Sequence, residues 1–221
     1  KALVYEGPER LAIRERALPA PDEGEALIRV ERVGICGSDL HAYLGHDDRR
    51  PAPLILGHEP AGTVASGPDR GQRVAVNPLV TCGSCEACLA GRQNLCSARQ
   101  ILSMPPREGA FAEYLCVPRR NLFPVPDSLA FAQAALAEPM AVSLHALRLG
   151  LANADARRLT GSTLVIGGGA IGVGAALMLR ALGMDHVVLL ESNPMRRQAL
   201  RPEHGIEVYA PTDAAVPGTG A

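Results

Sequence analysis

Between Lys1 and Val125 the hydrophobic residues fall in short runs that glycine and proline separate. Runs of this length, alternating or continuous and bounded by turn residues, are typical of β-strands. The pattern therefore predicts a compact β barrel or sandwich over this part of the chain. The predicted strands are ALVYEG, EALIRVERVGICG, GTVASG, RVAV, AFAEYLCVP and NLFPVP.

The pattern changes at Phe131, where Ala-rich sequence with apolar residues three and four positions apart predicts helix. Further on, an apolar run at Thr163–Ile166 is followed by glycines, by a helical stretch over Ala170–Leu182 and by a second apolar run at Val187–Leu190. Strand, glycine-rich turn, helix and strand in this order predict a βαβ unit with a right-handed crossover and a parallel sheet.

Charge and composition narrow the class of partner. The chain has 22 Lys and Arg against 23 Asp and Glu, a net charge of -1, without a long run of one sign. Such a surface has no field that would gather nucleic acid or an anionic membrane. No apolar stretch reaches the roughly 20 residues of a membrane span, and the start KALVYEGPERL does not resemble a secretory signal. We therefore expect a small-molecule partner, no nucleic-acid or membrane partner, and a cytoplasmic location.

Four of the six cysteines lie close together with the spacing C-x2-C-x2-C-x7-C. Four thiolates saturate a tetrahedral zinc ion, so the spacing predicts a closed, structural zinc site in a lobe of about residues 78–100. Two local disulfides or an iron–sulfur cluster are the alternatives, although a ferredoxin run ends C-x3-C-P and Ser97 follows the last cysteine here. The four predicted ligands are Cys82, Cys85, Cys88 and Cys96.

Directly after the strand predicted at Thr163–Ile166, the sequence GGGAIG matches the G-x-G-x-x-G pattern of dinucleotide-binding loops. The first glycine permits a tight turn, the second lets the backbone approach a pyrophosphate, and the third allows close packing of helix on strand. The phosphates would then lie at a helix N-terminus. The alternative is a tight turn in a sheet protein without a nucleotide. The predicted cofactor-binding residues of the loop are Gly167, Gly169, Ala170, Ile171 and Gly172.

An acidic residue at the end of the next strand bears on the choice of cofactor. Glu191 follows Gly172 by 191 − 172 = 19 positions, the separation expected for the carboxylate that accepts hydrogen bonds from the adenosine ribose. Because this carboxylate would repel a 2′-phosphate, NAD is favoured over NADP. Arg196 and Arg197 lie just beyond it, and an arginine there can accommodate a 2′-phosphate, so NADP stays open.

Taken together, these motifs resemble the zinc-dependent medium-chain alcohol dehydrogenase family, in its sorbitol and threonine (polyol) dehydrogenase-like branch. GICGSDLH, GHEPAG, GQRVAV, AEPMAV and GGGAIG follow the family order over almost the whole chain. The resemblance implies a GroES-like, β-rich catalytic domain over residues 1–145, followed by a Rossmann domain over residues 146–221. This second domain is expected to be partial, because the later Rossmann strands and the returning C-terminal segment of the family are missing from this sequence.

The resemblance also implies a reactive zinc with mixed ligands. Cys36, His58 and the carboxylates of Glu59 and Glu138 provide soft and hard donors, unlike the closed four-thiolate lobe. A zinc ion with three protein ligands keeps one position for substrate and acts as a Lewis acid that lowers the pKa of a bound hydroxyl. A nicotinamide can accept the hydride, which explains why a zinc site and a nucleotide site belong in one chain.

The resemblance implies roles for single residues as well. Cys36 and His58 are ligands of the catalytic zinc in the family, and Glu138 matches the ligand position that is a glutamate in sorbitol-dehydrogenase-like members. Glu59 is a ligand or a nearby carboxylate of the catalytic centre in different members, so the third ligand stays open.

Ser38 and His41 match the family's proton relay, in which a hydroxyl lies near the substrate and an imidazole nearer the solvent. The simpler interpretations are a turn-capping serine and a surface histidine. The implied function is hydride transfer between an alcohol or polyol and NAD, by a homodimer or homotetramer. The alternatives are a zinc-free quinone or enoyl reductase of the same fold, and a non-catalytic nucleotide-binding or structural relative.

Overall fold

The computed structural model describes residues 1–152, 163–200 and 206–213. The chain divides into two compact units, Lys1–Glu138 and Pro139–Ala221. The domain boundary predicted between residues 145 and 146 stays a prediction. Within the described ranges, no helix combines the length and the apolar character that crossing a membrane requires.

The first unit is built mainly from β-strands, as the sequence pattern predicts, and these strands pair antiparallel. The strands are β1 (Ala2–Gly7), β2 (Arg10–Arg14), β3 (Glu25–Gly34), β4 (Leu54–Ile55), β5 (Glu59–Val64), β6 (Arg73–Val76), β7 (Leu79–Val80), β8 (Gln100–Ile101), β9 (Tyr114–Pro118) and β10 (Leu122–Pro124). A five-stranded sheet has the order β10-β6-β5-β3-β9, and a three-stranded sheet has the order β2-β1-β4. A short pair, β7 and β8, flanks the four-cysteine segment.

Four helices accompany these strands. They are α1 (Gly37–Tyr43), α2 (Glu86–Leu89), α3 (Phe131–Ala134) and α4 (Ala137–Leu151), the last of which begins in the first unit and continues into the second. Single 3-10 turns lie at Gln93–Leu95 and Arg119–Asn121.

The central sheet holds the main core and sets the pairing that matters for the site. Apolar side chains from its strands, among them Ile28, Val64, Val74 and Val117, form one buried cluster. Strand β3 pairs with β5 so that Gly34 lies opposite Glu59, after a register shift between Val30 and Arg32. The end of β3 and the start of β5 therefore lie side by side.

The described elements of the second unit are β11 (Thr163–Ile166), α5 (Ala170–Ala181), β12 (Val187–Leu190), α6 (Pro194–Ala199) and β13 (Ile206–Tyr209). The strands form a parallel sheet of order β11-β12-β13. Helix α5 packs on this sheet through Ala176 and Leu179, which share a buried cluster with Val187, Leu189 and Ile206. This arrangement confirms the predicted strand–helix–strand unit and its parallel sheet.

The structure differs from the sequence pattern at two places in the first unit. The predicted strand EALIRVERVGICG ends at Gly34, and the chain turns into α1 instead. The Asp39 carboxylate accepts a hydrogen bond from the backbone N–H of Cys36 at 3.0 Å, which stabilises the first turn of that helix. The helix predicted from Phe131 is interrupted between α3 and α4.

Candidate functional site

A thiol, an imidazole and a carboxylate meet where β3 ends and β5 begins. Cys36, His58 and Glu59 each offer one ligand atom, and these atoms all lie within 4.8 Å of one another. Cys36 comes two residues after the end of β3, and Glu59 opens β5 opposite Gly34. Antiparallel pairing of the two strands thus brings together three of the four residues predicted for a reactive zinc.

The imidazole of His58 is buried and faces a carboxylate. Its Nδ1 atom lies 3.5 Å from Oδ1 of Asp39, an ion-pair contact without hydrogen-bond geometry. Burial opposes protonation of the ring, but Asp39, with a smaller contribution from Cys36, outweighs it and raises the pKa of His58 to about 9. A metal-binding histidine usually directs its second nitrogen at a carboxylate, so this orientation leaves Nε2 for a metal.

Asp39 also belongs to this centre, although the sequence alone gives a weaker case for it than for the predicted ligands. Its carboxylate accepts hydrogen bonds from the backbone N–H groups of Cys36 at 3.0 Å and Gly57 at 3.1 Å. Burial raises its pKa, but the interactions with His58 and with the two N–H groups outweigh burial and hold the pKa of Asp39 below its ordinary value. The signal in the sequence was its position at the third residue of α1, typical of a capping carboxylate.

The two carboxylates predicted as zinc ligands differ in their burial and in their distance from Cys36 and His58. Glu59 is buried and belongs to the group of three, whereas Glu138 is half-buried at the start of α4 and lies outside that group. Burial raises the pKa of both carboxyls, and the charge of His58 opposes the shift in each case. Glu138 is therefore within electrostatic reach of the cluster, and the identity of the third ligand stays a prediction.

The two predicted relay residues share helix α1. Ser38 is half-buried, and His41, one turn further on, is exposed. The backbone carbonyl of Ser38 accepts a long contact of 3.5 Å from the buried guanidinium of Arg50, which also pairs with Asp47 at 2.5 Å. The helix thus carries the serine at a half-buried position and the histidine at an exposed one, and the relay role of both residues stays a prediction.

The four predicted thiolates form a second group whose ligand atoms all lie within 4.8 Å of one another. The Sγ atom of Cys82 lies 3.6 Å from that of Cys96 and 3.9 Å from that of Cys88. A zinc ion with Zn–S bonds of about 2.3 Å at tetrahedral angles would hold its sulfurs roughly 3.8 Å apart. Backbone N–H groups of Ser84 and Cys85 lower the pKa of the Cys82 thiol to about 6, which favours the thiolate that a metal needs. The sulfur spacing therefore fits zinc, and all six cysteines of the chain are free.

The predicted dinucleotide loop has the backbone that such a loop needs. Gly167 has a φ of +100°, a conformation that only glycine adopts readily, and Gly169 caps the N-terminus of α5. A Cβ on Gly172 would lie 1.8 Å from the carbonyl oxygen of Gly167, whereas a Cβ on Gly169 would meet no atom within 4 Å. Gly172 is thus required for packing, and the free volume over Gly169 fits a cofactor pyrophosphate.

Glu191 stabilises this loop from within the second unit. Its buried carboxylate accepts hydrogen bonds from the backbone N–H groups of Asn193 at 2.6 Å and Gly168 at 2.9 Å. These hydrogen bonds and the charge of Arg196 lower the pKa of Glu191, whereas burial raises it. The net result is a pKa of Glu191 below its ordinary value. The guanidinium of Arg196 lies 3.6 Å from the same carboxylate and is 60% exposed. A charged carboxylate keeps further acceptor positions, so contact with a ribose stays a prediction.

Comparison with known proteins agrees with this geometry. Residues 22–127 match the alcohol dehydrogenase GroES-like domain. Sorbitol dehydrogenase of Bacillus subtilis strain 168 is 40% identical over 211 residues, covering 91% of this chain and 58% of the relative. L-Galactonate-5-dehydrogenase of Escherichia coli K12 is 39% identical over 202 residues, covering 89% of this chain and 57% of the relative. The crystal structure of an alcohol dehydrogenase from Escherichia coli CFT073 with NADH superimposes with a TM-score of 0.84 at 30% identity, covering 96% of this chain and 63% of that one.

The chain belongs to the zinc-type medium-chain alcohol dehydrogenase family. Its relatives place it in the polyol dehydrogenase branch, and they confirm a GroES-like domain followed by a Rossmann domain. The chain spans less than two thirds of the length of these relatives, 58% for sorbitol dehydrogenase and 57% for L-galactonate-5-dehydrogenase.

Two glycines of the dinucleotide loop should respond differently to alanine. Gly172→Ala places a Cβ against backbone, so we expect it to lower the free energy of unfolding by about 1–3 kcal/mol. Gly169→Ala should keep full stability but weaken NADH binding by about 10-fold or more, roughly 1.4 kcal/mol, because its Cβ enters the pyrophosphate space. Denaturant unfolding and NADH fluorescence titration measure the two effects. Equal loss of stability in both variants, or undiminished NADH binding by Gly169→Ala, contradicts this assignment.

The four-cysteine lobe should depend on its metal. Cys88→Ser should remove the lobe's zinc and lower the free energy of unfolding by roughly 4 kcal/mol or more, as loss of a structural metal does. Cys116→Ser, which alters a half-buried cysteine of β9 outside the group, is the matched control and should keep the zinc. Zinc content by mass spectrometry and the unfolding curve provide the comparison. If both variants retain the same metal content and stability, the lobe does not hold a structural zinc.

Proposed function

We propose that this protein is a zinc-dependent dehydrogenase that transfers hydride reversibly between an alcohol or polyol and a nicotinamide cofactor. The observation that carries the proposal is the group of Cys36, His58 and Glu59, whose ligand atoms lie within 4.8 Å of one another. One thiolate, one imidazole and one carboxylate form the donor set of a catalytic rather than a structural zinc site, because three protein ligands leave a position open. A quinone or enoyl reductase without zinc has no need of this buried donor set.

Zinc and NAD would supply the two chemical capacities that the side chains lack. Cys36, His58 and a carboxylate from Glu59 or Glu138 would hold the zinc ion, which would supply Lewis acidity toward the substrate oxygen. The loop around Gly169 would hold NAD, which would supply the hydride acceptor. The relative of known structure from Escherichia coli CFT073 binds NADH, which supports this cofactor class.

The chain's own residues orient the site and carry the proton. Asp39 holds Nδ1 of His58 on one side and so fixes the direction of the ring. The Oγ atom of Ser38 accepts the hydroxyl proton of the alcohol while its own proton is passed on toward His41, and the exposed imidazole of His41 exchanges a proton with solvent. The change from half-buried Ser38 to exposed His41 along α1 supports this direction of transfer.

Two finer assignments accompany the proposal. Glu138, in place of the cysteine that simple alcohol dehydrogenases carry, favours polyols, threonine or similar polyfunctional alcohols, and the similarity to a sorbitol dehydrogenase supports this class. The six free cysteines suit a reducing compartment, so we propose a cytoplasmic protein, acting on a small molecule as a homodimer or homotetramer.

The proposed activity should depend on the mixed cluster. With the full chain, NAD and a panel of sorbitol, threonine and simple secondary alcohols, we expect NADH formation and one bound zinc ion for each of the two ligand groups. Cys36→Ser should lower kcat/KM by roughly 1000-fold, since several kcal/mol of stabilisation by the metal is lost, while Cys116→Ser should keep full activity. Reduction of quinones or enones by the metal-free protein would favour the reductase alternative. NADH binding with zinc only in the four-cysteine lobe and no turnover would favour the non-catalytic alternative.

Cofactor choice should depend on Glu191 and Arg196. We propose NAD as the preferred cofactor, because the charged Glu191 carboxylate repels a 2′-phosphate, with Arg196 giving residual use of NADP. Arg196→Ala should therefore increase the NAD to NADP ratio of kcat/KM by about 10-fold, the value of one charge-assisted hydrogen bond. Arg197 provides a contrast, because its guanidinium donates to the carbonyls of Glu191 and Ser192, so Arg197→Ala should lower stability without changing the ratio. Equal or better turnover of NADP by the unsubstituted protein would reverse the assignment.

A further inference from the structure

Gly34, the last residue of β3, lies in direct contact with the carboxylate of Glu59 on the neighbouring strand. A Cβ added at Gly34 would lie 1.9 Å from Oε2 of Glu59, 3.0 Å from its Cδ and 3.1 Å from its Cβ. Carbon and oxygen atoms that are not bonded approach to about 3.5 Å at their optimal separation, so a side chain at residue 34 and the observed position of the Glu59 carboxylate exclude each other. The Glu59 carboxylate therefore occupies the volume that a side chain of residue 34 would fill.

The backbone at Gly34 gives no other reason for a glycine. Gly34 does not have a positive φ, whereas Gly167 does. Glycine within a strand is unfavourable, and it often marks a place where another group approaches the backbone closely. Glu59, which pairs with Gly34 in the register of β3 and β5, is that group.

We propose that Gly34 is a positioning residue for the metal centre, whose missing side chain lets the Glu59 carboxylate lie beside Cys36 and His58. This inference rests on the proposed function, in which these residues hold a metal. Gly34 and Cys36 are two residues apart, so the segment that carries the thiolate also makes the space for the carboxylate. The close approach thus adds a negative charge to the donor set without a change in the fold.

The clashing atom determines what a substitution would do. Oε2 is the far end of a flexible side chain, so Glu59 can rotate away from an alanine at residue 34 at little cost in stability. The carboxylate then leaves the group of three, although residue 59 is unchanged. Supporting groups of a metal site contribute about 10- to 100-fold to metal affinity, and a displaced carboxylate should cost a similar factor.

Zinc affinity of the mixed cluster in the full chain, measured by competition with a chelator while the four-cysteine lobe keeps its zinc, tests the proposal. Gly34→Ala should weaken zinc binding at the mixed cluster by about 10- to 100-fold, with an unchanged thermal unfolding midpoint of the protein whose mixed cluster is empty. Zinc in the four-cysteine lobe serves as an internal reference, because the substitution leaves its ligands unaltered. In a Glu59→Ala background, Gly34→Ala should have no further effect on zinc affinity, because the carboxylate that it displaces is already absent.

Gly37→Ala is the matched control, because a Cβ at this nearby glycine meets no atom within 4 Å, and its zinc affinity should equal that of the unsubstituted chain. Unaltered zinc affinity of Gly34→Ala overturns the inference, and so does an equal loss of affinity with and without Glu59. If the unsubstituted chain and Gly37→Ala hold zinc only in the four-cysteine lobe, the proposed function itself fails, and the inference fails with it.

Discussion

The mixed cluster depends on one buried carboxylate that joins two segments distant in sequence. Asp39 accepts a hydrogen bond from the N–H of Cys36 and another from the N–H of Gly57, and it faces the imidazole of His58. The cost of burying this charge is offset only while all three contacts exist, because an unpaired buried carboxylate is strongly unfavourable. The thiol and the imidazole are therefore fixed relative to each other by the fold before any metal binds.

The two candidate metal sites differ in how the fold brings their ligands together. The four cysteines lie within one short segment between β7 and β8, so a local loop is sufficient to bring them together. The mixed cluster instead requires the pairing of β3 with β5 and the first turn of α1. A closed group on a local loop suits stability, whereas a group built on paired strands gives the rigid placement that catalysis requires.

This difference explains what the sequence could predict. Cysteine spacing identified the four-cysteine group, and a strand followed by glycines and a helix identified the parallel unit around Gly169, since both signals are local. Cys36, His58 and Glu59 were linked only through resemblance to a family, because no local pattern connects them. The sequence provided only a weak case for Asp39 and none for Gly34. The contacts of Asp39 arise from the folding of α1, which ends a run with the pattern of a strand, and those of Gly34 arise from strand register. The periodicity of hydrophobic residues along the chain predicts neither.

The irregularity of β3 between Val30 and Arg32 has a consequence for how this family can vary. A ladder that continued without it from Val30 opposite Gly62 would place Gly34 opposite His58 instead of Glu59. Deleting or inserting one residue in this strand would shift the pairing of β3 with β5 by one residue. Every sequence motif would then be intact, but each residue beyond the change would have a different partner across the sheet. The length of β3 therefore determines the geometry of the metal ligands as much as the identity of the ligands does.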